Sequence, residues 1–376
     1  MKRFLALGLA IILLVGSTIA LAIYPAQVTL PTFAETDFFP ENAPLMVAFS
    51  QTGHFFDSNV SVAILSSNPY AEIHYTLNGG FPTTDSTIYT SPITITAGRN
   101  TDVTVLRAKA VYGDEISEIL THTFFVGQDV HRRFSTLVFS ISANHADLYD
   151  FHTGIFVEGV TRRDYVRENP GTHVRPTTPA NFNWRGREEG ERPAHVEAFY
   201  ADGTRILTQL CGLRVFGSWS RGEPIKSIRL IARRDYSPEA GRFHYPFFPD
   251  AFMADEFGDT PIRAYNELIL RNGGNDRNHG MIRHELGSTL ARRAGFIDVS
   301  PVRAASLFIN GNFYGHMWLQ TRCFEHFLQE VYGTPTRDFD VIGRGEWWFR
   351  NATEEQEEAL TYKNSFAWRD LNDPAE

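Results

Sequence analysis

Four patterns of apolar and polar positions divide the chain. Lys2 and Arg3 precede a run without charge from Phe4 to Tyr24, which closes on small residues around Ala20 and Ala22. A cationic start, an apolar stretch and a small-x-small exit predict an export signal over 1–24, cut near Ala22. The same run is long enough to cross a bilayer as an uncleaved anchor. Either form places the remainder outside the cytoplasm. Residues 25–40 carry Pro25, Pro31 and Pro40 with little periodicity and predict a linker.

From 41 to 127 the pattern alternates. In AEIHYTLNGG, Ile73, Tyr75 and Leu77 face one way and Glu72, His74 and Thr76 the other, which predicts a half-buried strand. Asn78, Gly79 and Gly80 supply a tight reversal. A later strand sets Leu106, Ala108 and Ala110 against Arg107 and Lys109, and THTFFVG closes the unit. Short strands at this spacing predict a small β-sandwich. His54 and His74 read as solvent-facing strand histidines rather than metal ligands.

From 128 to 376 the pattern is mixed and predicts an α+β domain. RFSTLVFSIS and HVEAFYADGTRILTQLCGLRVFG read as strands. In HGMIRHELGSTLARRAGF, Met281, Ile282, Leu286, Leu290 and Ala291 recur at roughly helical spacing, predicting a helix that stops at Gly295. VRAASLFINGNFYGHMWLQ reads as a hairpin turning at Asn310-Gly311.

Composition narrows the classes. At 376 residues, 43% apolar and 13% aromatic, the chain has material for more than one core. A net charge of −9, with no long basic run, argues against nucleic acid as a partner. Cys211 and Cys323 are too few for a disulfide framework or a four-cysteine zinc site. Lysine occurs only at Lys2, Lys109, Lys226 and Lys363, all other cations being arginine.

The segment from Arg205 to Arg234 departs from the acidic balance. Its cations are Arg205, Arg214, Arg221, Lys226, Arg229, Arg233 and Arg234, against one acid, Glu223. Within it FGSWSRGEPIKSIRL joins Gly217 and Gly222 to the hydroxyls of Ser218 and Ser220 and to Lys226, a composition able to cradle phosphate. The glycine spacing is not that of a P-loop, and a solvated pair of arginine-rich strands fits the same residues. RNGGND, from Arg271 to Asp276, has the donors and acceptors for a nucleotide or metal contact, or equally for a helix cap. His279 and His284-Glu285 lack the spacing of a zinc hydrolase, and no G-x-S-x-G elbow occurs. Glu188-Glu189 reads as a solvated loop pair rather than a glycosidic acid and base. Asp338-Phe339-Asp340 lacks the glycine of the kinase metal-binding triplet, and Trp347-Trp348 offers faces on which sugars stack.

Two resemblances sharpen this. YTLNGGFPTTDSTIYTSPITI followed by TVLRAKAVYGDEIS resembles the chitobiase and β-hexosaminidase C-terminal domain, an immunoglobulin-like sandwich. That resemblance implies a spacer or surface-adhesion unit able to meet cell-wall polysaccharide, and no hydrolase activity. The ordered blocks LYDFHTGIFVEG, ANFNWRGREEGERPAHVEAFYADG, GLRVFGSWSRGEPIKSIRLIAR, ELILRNGGNDRNHGMIRHEL and FINGNFYGHMWLQTRCFEHFLQEVYG resemble the spore coat protein H (CotH) kinase family. This implies an atypical protein-kinase-like domain that transfers the γ-phosphoryl of ATP, with Mg²⁺, to Ser or Thr of a protein on the cell or spore surface.

Carried over, Lys226 resembles the lysine on the ATP phosphates, with Ser218, Ser220 and Arg221 in the loop above them. Glu285 is the candidate partner of Lys226, although many members read Arg-Asp where this chain has Arg283-His284. Asn272 and Asp276 are the candidate nucleotide contacts of the second loop. The family's metal-binding acids are expected beyond Glu376, so this chain is expected to be an inactive fragment of an enzyme. The alternative is a non-catalytic surface-assembly or carbohydrate-adhesion protein built on a kinase-like scaffold.

Overall fold

The computed structural model describes residues 39–336, apart from 41–42, 99–101, 174–189, 238–240, 256–257 and 323–324. The leader, nearly all of the linker, Glu188-Glu189, Cys323, Asp338-Phe339-Asp340 and Trp347-Trp348 lie outside the described residues. Among those described, no helix is long and apolar enough to cross a membrane.

The first half is a sandwich of short strands. Leu120–Val126 lies between Asp102–Tyr112, antiparallel, and Phe55–Phe56, parallel; beyond Asp102–Tyr112 come Glu72–Thr76 and Thr87–Ile88. Two antiparallel ribbons, Val47–Phe49 with Ile64–Ser66 and Val60–Val62 with Ile93–Ile95, complete it. Val47, Val62, Ile64, Leu106, Ala108 and Phe124 belong to one buried core. The alternation of Leu106, Ala108 and Ala110 is met as expected, but Arg107 between them is also fully buried. His74 likewise is buried rather than solvent-facing, its Nδ1 lying 3.3 Å from the Ser86 carbonyl. Alternation marks one buried face, and in Asp102–Tyr112 both faces are covered.

The second half is a closed barrel of seven strands. They are β1 (Leu137–Ser142), β2 (Arg192–Phe199), β3 (Arg205–Phe216), β4 (Ser227–Ile231), β5 (Glu267–Arg271), β6 (Val302–Ile309) and β7 (Asn312–Gln320). The order round the barrel is β1-β2-β3-β4-β5-β7-β6, and the single parallel seam, β6 to β1, closes it. Closure leaves no exposed edge in this sheet. The β6–β7 hairpin turns at Asn310-Gly311 as expected, both residues at positive φ. The Asn310 side chain also ties the turn to β1, exchanging two 2.9 Å hydrogen bonds with the Ala143 backbone. Helices α1 (His145–Tyr149), α2 (Gly159–Glu168), α3 (Arg283–Arg293) and α4 (Glu325–Tyr332) lie between or after the strands. Cys211 is a buried free thiol of β3.

Sandwich and barrel share a buried seam and form one compact unit from Pro44 onward. Along Leu120–Val126, Phe124 and Val126 turn into the sandwich while Phe125 turns towards the barrel, as the two-residue period of a strand requires. There Phe125 meets Phe55, Phe199 and Phe308 at ring separations of 4.9, 5.5 and 5.2 Å. Thr123 and Ser140 exchange a 2.8 Å hydroxyl contact across the seam, and the Phe81 amide donates to Asn144 at 3.0 Å. Arg107 donates to the Gly79 carbonyl at 3.0 Å and lies 4.1 Å over the Phe81 ring, and burial lowers its pKa to about 10.

Helix α3 departs from expectation in its facing. It spans the segment expected, but Glu285 and Ser288 are its buried side chains, and Ile282, Leu286 and Leu290 are exposed.

Candidate functional site

The site is built where neighbouring strands end together. Phe216 at the end of β3 pairs with Ser227 at the start of β4, and Ile228 of β4 pairs with Leu270 of β5. The loop leaving β3 and the loop leaving β5 are therefore held side by side. Between them opens a cleft of about 420 Å³, lined from the first loop by Phe216 to Ser220 and from the second by Arg271, Gly273 to Asp276, Arg283 and His284.

Each loop is fixed from below. Asn272 is fully buried and joins the two: its Nδ2 donates to the Ile225 carbonyl at 2.6 Å, its amide to Ser227 Oγ at 3.0 Å, and its Oδ1 accepts from Ser227 and Gly274. Asp276 caps α3, with Oδ2 accepting from the amides of Ile282 and Arg283 at 2.9 and 3.1 Å and Oδ1 facing Arg283 at 3.1 Å. These amides and the Arg283 charge hold its carboxyl below the usual carboxylate range. Of the two roles open to RNGGND, the cap is the one whose hydrogen bonds are present.

The first loop is a 3₁₀ turn, Trp219–Gly222, entered through Gly217 at φ 103°. A Cβ at Gly217 would lie 2.2 Å from Ser220 Oγ, so a side chain there would displace the hydroxyl that faces the cleft. Arg221 is buried and its Nε donates to the Gly217 carbonyl; burial first, then Arg214 and Arg229, lower its pKa to about 10. Lys226 is buried too. Its ammonium donates to the carbonyls of Arg221 and Glu223 at 2.8 and 3.1 Å, and its amide to the Tyr314 hydroxyl at 2.7 Å. Burial lowers the Lys226 pKa to about 8, against the pull of Glu158 and Glu223.

Lys226 thus sits behind the loop rather than among the cleft-lining residues, and Glu285 is not the acid that acts on it. Glu285 is buried with no hydrogen bond from another residue to either carboxylate oxygen, and burial raises its pKa, opposed by Arg271. Of the candidates from sequence, Ser218, Ser220 and Asp276 line the cleft; Arg221, Lys226, Asn272 and Glu285 lie in its supporting layer.

The contacts proposed from RNGGND are Asn272 and Asp276; the structure adds to them Arg271, the arginine that opens the motif. Arg271 closes β5, lines the cleft, and its side chain makes no ion pair or hydrogen bond among the described residues, with Glu285 as its electrostatic neighbour. Gly274 makes room for it, since a Cβ there would lie 2.6 Å from an Arg271 terminal nitrogen. In the basic segment, by contrast, three of the seven cations are paired with acids brought from elsewhere in the fold. Arg205 meets Glu197 at 3.1 Å, Arg229 meets Glu267, and Arg233 meets Glu191 at 2.9 Å. An exposed cationic face is not what the cluster of charge in sequence produces.

The cleft therefore offers one half-buried guanidinium, the exposed Arg283, two hydroxyls and an aromatic wall in Trp219, a set suited to an anion carried on a flat group. Among the described residues no group of three His, Cys, Asp or Glu is gathered that would hold a metal ion.

Comparison with known proteins bears on the other end of the unit. Residues 51–121 match the chitobiase/beta-hexosaminidase C-terminal domain. The match runs from Gln51 to Thr121, inside the sandwich, and does not reach the cleft. The chitobiase-type module is also the part that contributes Phe55, Arg107 and Gly79 to the seam. No curated protein and no solved structure matches the chain.

Proposed function

We propose that the cleft binds the triphosphate of ATP and that residues 128–376 are the nucleotide-binding part of an exported, CotH-like protein kinase. The observation that carries this reading is Arg271: a half-buried guanidinium without a hydrogen-bond partner, aimed into a cleft that two glycine-containing loops wall with hydroxyls. A half-buried guanidinium with no hydrogen-bond partner is costly to desolvate further unless a ligand supplies acceptors and opposite charge. Phosphate oxygens do so in the bidentate geometry that guanidinium favours.

In this reading Arg271 contacts the phosphates, Ser218 and Ser220 donate to them, and Trp219 flanks the nucleoside. Lys226 is a positioning residue, its ammonium holding the carbonyls of Arg221 and Glu223 so that the serines face inward. Phosphoryl transfer depends on neutralising charge on the transferred group, and Arg271 supplies part of that neutralisation. Mg²⁺ would supply the remainder when bound. The described residues fit the phosphates but not the metal, since Asp276 is the one carboxylate among them that lines the cleft and it is engaged as a cap. No step is assigned to the metal. The acceptor proposed is a Ser or Thr hydroxyl of a coat or surface protein.

Calorimetric titration tests the reading. ATP is expected to bind more tightly than ADP, and ADP more tightly than adenosine. Arg271→Ala should weaken ATP by about 10- to 100-fold, the range for a hydrogen-bonded charge, with Arg271→Lys between. Equal binding of ATP and adenosine, or none of either, would refute it.

A further inference from the structure

Helix α3 carries its amphipathic pattern in reverse. Glu285 and Ser288 are buried, whereas Ile282, Leu286 and Leu290, successive turns of one stripe, are 50, 53 and 56% exposed. Phe296 and Ile297, just after the helix, are exposed as well, at 64 and 40%. A single exposed leucine is ordinary, but an apolar stripe of this continuity on a helix marks a face that another element covers.

The position of the chain past α4 points to the occupant. Helix α4 ends at Tyr332, whose hydroxyl donates to Asp298, the residue after Ile297. Helix α4 thus ends near the segment that follows α3, and residues 337–376 lie further along the chain. Twenty residues separate Tyr332 from Thr353, a tether that reaches up to roughly 70 Å, so any point on α3 is within range of the stretch that begins at Thr353. From Thr353 the sequence reads TEEQEEALTYKNSFAWRDL. Thr353 and Gln356 have the spacing of a capping box, Ala359, Tyr362 and Phe366 recur at i, i+3 and i+7, and Leu360, Ala367 and Leu371 lie on the adjoining row. Charge is complementary: Glu354, Glu355, Glu357 and Glu358 cluster in this stretch, while α3 bears the exposed Arg293 at its C-terminal end, Arg283 at the other end being paired with Asp276.

We infer that the segment 353–371 folds back onto the outer face of α3, setting its apolar row on Ile282, Leu286 and Leu290 and its glutamates towards Arg293. The inference stands whether or not the cleft binds a nucleotide. Because Arg283 and His284 both open α3 and line the cleft, the segment would also brace one cleft wall.

The full chain carrying photoreactive benzoylphenylalanine at Leu290 tests this directly. Irradiation of dilute protein should give crosslinks within one chain to residues 353–371. Crosslinked dimers that increase with concentration would mean that a second copy covers the face, and crosslinks to no part of 353–371 would mean that this segment does not; either result overturns the inference. A second measurement guards against a local effect of the label. In the full chain, Leu286→Ser with Leu290→Ser should speed tryptic cleavage after Lys363 and Arg369 by about 10-fold or more, as expected when a docked segment is released. Unchanged cleavage would overturn the inference equally.

Discussion

Phe125→Ala should destabilise the unit from Pro44 onward by about 3–5 kcal/mol, the usual range for emptying a buried phenylalanine site. The ring is fully buried and packs against Phe55 of the sandwich and against Phe199 and Phe308 of the barrel, so the space it leaves has walls from both halves and cannot close by a shift of one. For a body of this size the loss corresponds to a fall in Tm on the order of 10 °C. Scanning calorimetry should show one transition moving as a whole. The exposed Ile116, in the same module, is the control, and its alanine variant should stay within about 0.5 kcal/mol of the parent. A separate sandwich transition, unmoved by Phe125→Ala, would contradict a shared core.

Acid should weaken the same seam. His122 and His195 are buried, and their pKa values are lowered from 6.5 to about 4 and about 3, chiefly by burial and then by neighbouring cations. A lowered folded value means that the unfolded chain takes up the proton first, so stability falls as pH drops below 6.5. Glu197 acts in the opposite direction: burial raises its pKa from 4.5 to about 7, so below pH 7 the folded chain takes up the proton first. At 1.36 kcal/mol per unit, the two histidines together cost about 5 kcal/mol by pH 4.5 and Glu197 returns about 3. The seam should thus contribute a net loss of about 2 kcal/mol between pH 7 and pH 4.5. Glu197→Gln removes the compensation and should deepen the loss to about 5 kcal/mol. Urea unfolding at the two pH values measures this, and an acid loss no deeper in Glu197→Gln than in the parent would contradict the assignment.

What the sequence made legible was local. The Asn310-Gly311 turn, the strand at Glu72–Thr76 and the helix at Arg283–Arg293 stand where their patterns placed them, because each is specified by neighbouring residues. The facing of these elements was less legible. Arg107 occupies the outward position of an alternating strand, yet it is buried because a second domain covers that face. In α3 the apolar stripe points away from the barrel, since the face that meets the barrel carries Glu285 and Ser288.

The site shows the same limit. Composition drew attention to Lys226 because lysine is rare here, but the ammonium is consumed by the carbonyls of its own loop. Arg271 opens the RNGGND motif, but nothing local marks it, rather than Asn272 or Asp276, as the group without a hydrogen-bond partner in the cleft. What brings it opposite Ser218 and Ser220 is the pairing of β3 to β4 and of β4 to β5, contacts between residues more than forty positions apart in the case of Ile228 and Leu270. The ion pairs that neutralise Arg205, Arg229 and Arg233 are likewise made across strands, so a charge count along the chain overstated the open positive surface.

The central claim is that the cleft grips a polyphosphate, and fluorine NMR of protein labelled with fluorotryptophan tests it at the site itself. Trp219 lines the cleft and is half exposed, and its resonance can be assigned by its loss in Trp219→Phe. On titration with ATP the Trp219 signal should shift and saturate, inorganic tripolyphosphate should move it as well, adenosine at the same concentration should move it far less, and Arg271→Ala should remove most of the response. A Trp219 signal that stays in place with ATP, or that adenosine alone shifts to the same extent, would contradict the account.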